Sequence, residues 1–341
     1  MIESKILHKL DPDKYCGCLL GGALGDSIGY PIEFFPAAHI KSPIFLWGSR
    51  PSRISDDTQM TLFTVAGLID SKELNENEIL ESIYTAYQNW YLTQYSRKPI
   101  ETETCKTLMS EPKLYVCRAP GITCLNSLKS GIMGTIESPI NDSKGCGGVM
   151  RVAPIGLYFD PTTCGKIIEE IDLLGAKVAA MTHGHELGYI PAAAFVHIIC
   201  RLAHTNYTIE GAVTEAIECT RNLFGDKEHF VEFEKIMQKA IDLSKTDITD
   251  RIAIKNIGEG WVAEETLAIA VYCALKYQND FESAIIASVC HDGDSDSTGS
   301  VTGNILGAYL GARKLSQDWL KRLELKELIN DTAIALCDKT I

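Results

Sequence analysis

The chain has no Cys-x-x-Cys pair, no long run of Lys or Arg, no low-complexity linker and almost no strand-like alternation of polar and apolar residues. Each absence excludes something. The twelve cysteines are scattered, which argues against a disulfide scaffold and for reduced, mostly buried thiols. Without a basic patch, and with a formal net charge of -13, the surface does not suit nucleic acid. A phosphate-bearing ligand held locally remains compatible with that charge. Residues 1–14 carry lysines but lack the apolar segment of a secretory leader. Tyr15–Gly25 is too short to span a bilayer and is followed by Asp26. A cytoplasmic protein without membrane contact is expected.

What is present is helical. Of 341 residues, 45% are hydrophobic and 23% charged, ample for a large core. Apolar residues recur at three- and four-residue spacing over 14–28, 57–70, 77–93, 165–181, 187–203, 208–223, 228–244, 263–277, 281–290, 296–313 and 323–337, and each stretch predicts a helix. Segments 30–54 and 111–150, rich in Pro, Gly and Ser, read as irregular. No repeat of 20–50 residues divides the chain, so one all-α domain over 1–341 is expected.

Two stripes of glycine interrupt this pattern. Gly17, Gly21, Gly25 and Gly29 recur every fourth residue, as do Gly299, Gly303, Gly307 and Gly311. Glycine inside a helix costs roughly 1 kcal/mol against alanine, so each stripe demands a return. A ridge without side chains lets another backbone approach closely. Either each stripe packs on an unrelated helix, or the two face each other. In the second arrangement an antiparallel crossing puts Gly29 near Gly299 and brings Glu33 to the end where the second stripe begins.

That end is acidic. Ser55-Asp56-Asp57-Thr58 precedes one apolar stretch, and His291-Asp292-Gly293-Asp294-Ser295-Asp296-Ser297-Thr298 precedes another. Either cluster alone reads as a helix cap. One cap needs one side chain, however, and crowded carboxylates repel each other unless a cation neutralises them. Together the clusters point to hard oxygen ligands for Mg²⁺, Mn²⁺ or Ca²⁺ rather than zinc.

Two glycine-rich loops follow. In Gly145-Cys146-Gly147-Gly148-Val149-Met150-Arg151 the glycines free the backbone to turn N–H groups toward an anion, and Arg151 offers a partner for phosphate. The Lys-Ser/Thr ending of a Walker loop is missing. Gly258-Glu259-Gly260-Trp261 opens a helix with acids in its first turn. Taken alone, the first loop reads as an ordinary tight turn and the second as simple helix initiation. His183 and His185 are structural, or else ligands or acid/base groups.

Taken in order, GGALGD at 21–26 through Pro31-Ile32-Glu33, SDDTQM at 55–60, GCGGVMRVAP at 145–154, GEGWVAEETLAIA at 258–270 and GDSDSTGSVTGNILGA at 293–308 resemble the ADP-ribosylglycohydrolase family over residues 14–313. The flavour is that of the bacterial branch containing dinitrogenase reductase-activating glycohydrolase. The resemblance implies a compact, orthogonal multi-helix domain with a metal-containing cleft and two divalent cations, Mg²⁺ or Mn²⁺. It implies metal ligands at Ser55, Asp56, Asp57, Asp294, Asp296 and Ser297. Glu33 is expected at the metals and, with Asp57 and Asp294, in catalysis. Gly145, Cys146, Gly147, Gly148 and Arg151, with Gly258 and Gly260, are the expected substrate-binding positions. Many members carry Gly-Asn-Gly where this chain has Gly145-Cys146-Gly147, and a small residue where it has Asp292.

The resemblance further implies hydrolysis of the glycosidic bond at C1″ of ADP-ribose on a modified protein, with arginine as the expected linkage. Serine linkages, small ADP-ribose esters and ADP-ribosylated nucleobases are alternatives of the same class. An immunity protein that binds a cognate ADP-ribosyltransferase, and a catalytically silent homologue, are alternatives of other classes. No ligand position is replaced by an apolar residue, so an active enzyme is expected.

Overall fold

Asp11 opens the first helix. Its carboxylate accepts a hydrogen bond from Asp13 N at 3.1 Å, and Pro12 begins the helix without an N–H to satisfy. The computed structural model describes residues 10–36, 39–40, 51–72 and 75–341. Among them sixteen α-helices follow one another: α1 (Pro12–Gly29), α2 (Asp56–Asp70), α3 (Glu76–Tyr95), α4 (Lys106–Met109), α5 (Ile122–Lys129), α6 (Ala153–Tyr158), α7 (Ile168–Ala180), α8 (Glu186–His204), α9 (Ile209–Phe224), α10 (Phe230–Ser244), α11 (Asp250–Ile257), α12 (Ala263–Lys276), α13 (Phe281–Val289), α14 (Ser295–Leu310), α15 (Gln317–Leu320) and α16 (Lys326–Lys339). No β-strand occurs among the described residues, only isolated bridges pairing Ser52 with Leu323 and Gly145 with Val262.

All eleven helices predicted from periodicity are present, and the fold is all-α as expected. Five more, α4, α5, α6, α11 and α15, were not predicted. None exceeds eight residues, too few for a 3.6-residue period to declare itself. One of them, α5, lies inside 111–150, which is therefore not irregular throughout. Part of 30–54 lies outside the described residues. α14 stops at Leu310 rather than at 313, because Gly311 takes φ +81° and turns the chain out of the helix.

A continuous cluster of buried apolar residues runs from Tyr15 to Cys337. α8 passes through it, packed against α6, α7, α9 and α12. Among the described residues it is the helix long and apolar enough to cross a membrane, yet 94% of that segment is buried inside the protein. A helix apolar on every side belongs in a core.

The glycine stripes face each other. A Cβ added at Gly17, Gly21 or Gly25 would collide with the carbonyl oxygen of Gly307, Gly303 or Gly299, and each collision is reciprocal. No other pair of helices in the fold is packed as extensively as α1 and α14. The register differs from expectation by one turn: Gly25, not Gly29, opposes Gly299, while Gly29 meets Ser295. Asn304 sets this register. Its amide donates to Cys18 O at 2.8 Å and fills the space beside Gly22. The C-terminal end of α1 and the N-terminal end of α14 thus finish together.

Candidate metal-binding cleft

Three helix ends converge here, and Asp26 joins two of them. It sits in the last turn of α1, fully buried. Its carboxylate accepts hydrogen bonds from Ser55 N at 3.0 and 2.9 Å, from Thr58 N at 3.2 Å and from the Thr58 hydroxyl. The N–H of the cap residue and that of Thr58 in the first turn of α2 are thereby satisfied by a residue of α1. Burial raises the Asp26 carboxyl to about 6, although these hydrogen bonds oppose the shift. Asp26 ends the GGALGD motif, but no feature of the sequence marked it for this bridging role.

Held in this way, α2 aims Asp56 and Asp57 at the N-terminus of α14. Asp57 Oδ2 accepts from Ser55 Oγ and from Ser297 Oγ, both at 3.3 Å. Ser55 also caps α2, accepting from Asp57 N at 3.2 Å. Asp294 caps α14 through Ser297 N at 3.2 Å and accepts from the Cys146 thiol at 2.8 Å. Glu33, past a 3-10 turn at Tyr30–Ile32, brings a carboxylate oxygen within 4.8 Å of oxygens on Asp294 and Asp296. Asp57 Oδ1 and Glu33 Oε2 are buried without a hydrogen-bond partner among the described residues.

Five carboxylates in one buried site repel one another. Burial first, then Asp294, Asp56 and Asp26, raises Glu33 to about 8. Burial and the neighbouring carboxylates push Asp56, Asp57 and Asp296 well above the ordinary carboxylate range. Two orphaned oxygens, an all-oxygen donor set and this mutual repulsion fit hard divalent cations.

A cleft of ≈ 360 Å³ opens over these groups. Glu33, Asp56, Asp57, Asp294, Asp296 and Ser297 line one side, and Gly145, Cys146 and Gly147 another. The two glycine loops are zipped together: Cys146 N donates to Trp261 O at 3.2 Å, and Ala263 N to Lys144 O at 2.9 Å. Phe34 and Trp261 stack on the rim with ring centroids 5.8 Å apart.

Several expected substrate positions are corrected. Arg151 is completely buried beneath the floor, donating to Thr182 Oγ1 at 2.7 Å and lying 4.3 Å over the Tyr87 ring. It cannot reach a phosphate in the cleft. Gly148 packs against Gly188 and Ala179. Gly258 and Gly260 do not line the cleft either: Gly258 N donates to Ile254 O at 2.8 Å, and Glu265 Oε2 accepts from Glu259 N and Gly260 N at 2.9 and 3.0 Å. The carboxylate of the protein itself takes the place intended for an anion. Asp292 is half exposed, 3.8 Å from Arg251, and outside the cleft.

The structure adds the start of α5, which the sequence did not single out, and puts His183 at the cleft. Among the described residues no Lys or Arg lines the cleft; instead the N-terminus of α5 opens into it at Gly121–Cys124, where Gly121 N donates to Asp56 Oδ2 at 3.3 Å and the N-cap glycine has no side chain to cap the N–H groups that follow. His183 lines the floor. The Thr182 hydroxyl, which accepts from Arg151, lies 2.8 Å from His183 Nδ1. With its own proton given to Nδ1, it leaves Nε2–H beside Gly145 and Gly147. Burial, and then Arg151, lower His183 to about 3, so it is a neutral donor rather than an acid/base group. His185 is structural: it caps α8 through Leu187 N at 3.0 Å.

Fold and cleft together define an all-α protein with an anionic, oxygen-lined pocket. The sequence pattern of the ADP-ribosylglycohydrolases matches residues 8–340, and the chain belongs to that family, whose members are hydrolases that remove ADP-ribose. It is 24% identical to ADP-ribosylhydrolase ARH3 of Mus musculus, over 91% of this chain and 87% of that one. It is 22% identical to the ADP-ribosyl-[dinitrogen reductase] glycohydrolase of Rhodospirillum rubrum, over 92% and 91%. A solved structure titled as an ADP-ribosylglycohydrolase-related protein complex shares the fold, with a TM-score of 0.65 at 20% identity over 97% of this chain and 99% of that one.

Proposed function

We propose that this protein hydrolyses the N-glycosidic bond joining ADP-ribose to an arginine side chain of a modified protein, with two Mg²⁺ or Mn²⁺ ions in the acidic cleft. The observation that carries the reading is the meeting of Glu33, Asp56, Asp57, Asp294 and Asp296, drawn from three elements, around unpartnered buried oxygens. Ser55, Asp56, Asp57, Asp294, Asp296 and Ser297 would hold the ions, with Glu33 beside them. Divalent cations in such a site supply Lewis-acid polarisation of sugar hydroxyls and of water.

The residues of the chain do the rest. The uncapped start of α5 and the His183 Nε2–H offer donors to a pyrophosphate, a task that Arg151 cannot perform. The glycosidic C1″ passes through an oxocarbenium-like transition state, which the surrounding carboxylates stabilise. Glu33 is the candidate base: its free Oε2 takes a proton from the water whose oxygen bonds to C1″ as the C–N bond breaks. The guanidinium leaves as the neutral guanidine and then takes up the proton that Glu33 accepted from the water. The twelve cysteines are free thiols, eight of them buried, which supports a reducing, cytoplasmic setting.

The test is incubation with arginine-linked and serine-linked ADP-ribosyl proteins, with Mg²⁺, with Mn²⁺ and with EDTA. Release of ADP-ribose from the arginine conjugate, lost in EDTA, is expected. Release from the serine conjugate alone overturns the linkage, and undiminished release in EDTA overturns the cation site.

A further inference from the structure

A second cluster of metal-binding side chains lies away from the cleft, where α7, α8 and α9 pack together. Each of these helices contributes a pair of polar residues one turn apart: Glu169 and Asp172 from α7, His197 and Arg201 from α8, Glu215 and Cys219 from α9. Asp172, His197 and Cys219 are buried and offer one ligand atom each within 4.8 Å of one another.

Ordinary pairing accounts for only part of this cluster. Arg201 takes both oxygens of Glu215, each at 2.8 Å. His197 Nδ1 and Asp172 Oδ2 share a hydrogen bond at 2.8 Å. After those pairs, Asp172 Oδ1 and His197 Nε2 remain buried with no hydrogen bond among the described residues. The nearest carboxylate oxygen to His197 Nε2, on Glu215, is 3.4 Å away. The Cys219 thiol reaches only a long contact of 3.9 Å to Glu169 Oε1. Leaving one buried polar group unpaired costs on the order of 1–3 kcal/mol, and here two lie in one cluster beside a thiol.

We propose that Asp172, His197 and Cys219 bind a thiophilic divalent cation of the zinc class, with Glu169 at the fourth position. The donor chemistry separates this site from the cleft. A carboxylate, an imidazole and a thiolate together suit zinc, whereas the cleft offers oxygen for Mg²⁺ or Mn²⁺. In a tetrahedral zinc shell, with bonds of about 2.0–2.3 Å, ligand atoms stand about 3.3–3.8 Å apart. The present spacing closes to that by roughly 1 Å of side-chain movement. A cation bound through His197 Nδ1 takes the place of the Nδ1–Oδ2 hydrogen bond, gives the Asp172 carboxylate a partner, leaves His197 Nε2–H to face Glu215 Oε2 at 3.4 Å, and ties three core helices to one another. The site is independent of the reaction proposed above.

Cobalt reports thiolate ligation through a charge-transfer band in the near ultraviolet. Cys146 lies beside the cleft and is removed first, so the protein used is the full chain carrying Cys146→Ser, with excess Mg²⁺ present to occupy the cleft. One equivalent of Co²⁺ is expected to give the band, Zn²⁺ to abolish it by displacement, and the additional change Cys219→Ser to eliminate it. A band that survives Cys219→Ser, or no band at saturating Co²⁺, overturns the proposal. Where Cys219→Ser does not fold, zinc-edge X-ray absorption on the Cys146→Ser protein decides the matter. A shell containing sulfur and imidazole upholds the site, and an all-oxygen shell overturns it.

Discussion

Ser297 Oγ donates to Asp57 Oδ2 across 3.3 Å, joining two acidic segments that stand 240 positions apart in the chain. Neither segment is a site alone. Each is a helix start whose carboxylates lack enough donors, and their union leaves an all-oxygen pocket with unsatisfied lone pairs.

Asp57→Asn and Asp294→Asn are expected to abolish ADP-ribose release while the circular dichroism spectrum stays unchanged. Asn at 294 keeps an acceptor for Ser297 N and so keeps the cap of α14. Asp294→Ala loses that cap as well, at about 1 kcal/mol, and should melt at a lower temperature than Asp294→Asn. Parallel loss of helicity and activity in the Asn variants would show that these groups serve only as caps.

Divalent cations should stabilise the protein. At 100 times the dissociation constant the gain is about 2.7 kcal/mol, read as a rise in Tm between EDTA and Mn²⁺. Asp296→Asn should reduce the rise. An identical Tm with and without cation in the native protein counts against the site.

Gly303→Ala places a Cβ against the carbonyl of Gly21. Alanine gains roughly 1 kcal/mol in helix propensity, but overpacking costs about 1–3 kcal/mol and moves backbones. Because α1 and α14 carry Asp26, Glu33, Asp294 and Asp296 between them, the expected result is weaker Mn²⁺ binding together with a lower Tm. Lower stability with unchanged Mn²⁺ affinity would mean that the interlock does not position the site.

Arg151 and His183 should act as one unit, since the Thr182 hydroxyl links them. The losses in kcat/KM from Arg151→Met and His183→Ala are expected not to add in the double variant. Additive losses would indicate that Arg151 meets the substrate by itself.

His204 supplies a pH test remote from the cleft. Its Nε2 lies 3.1 Å from the carbonyls of Gly156 and Leu157, and its Nδ1 is buried without a partner. Burial lowers it to about 4, with Asp160 opposing and Lys14 assisting. The unfolded chain takes up a proton near pH 6.5, whereas the folded protein does not until about 4. Stability from this group is therefore complete above pH 6.5 and lost as pH falls toward 4, with a slope of about 1.4 kcal/mol per pH unit. Asp26 and Asp172, each raised to about 6 by burial, act in the opposite direction. The measurement is accordingly a difference: between pH 7 and 4.5 the Tm of His204→Gln should fall less than that of the native protein.

The sequence by itself determined the helices with enough turns to show a period, the carboxylate clusters and the two glycine ridges. Those are local properties: a 3.6-residue repeat, adjacent like charges and the absence of side chains need no partner to be seen. The tertiary structure alone decided what each motif faces. It slid the glycine ridges one turn from the simplest pairing, because the Asn304 amide finds Cys18 O. It turned Arg151 into the core and gave the N–H groups of the Gly258 loop to Glu265. It made Asp26 the clamp between α1 and α2, and it opened α5, too short to show a period, into the cleft. Direction and burial of a side chain are set by contacts across hundreds of residues, and no local pattern records them.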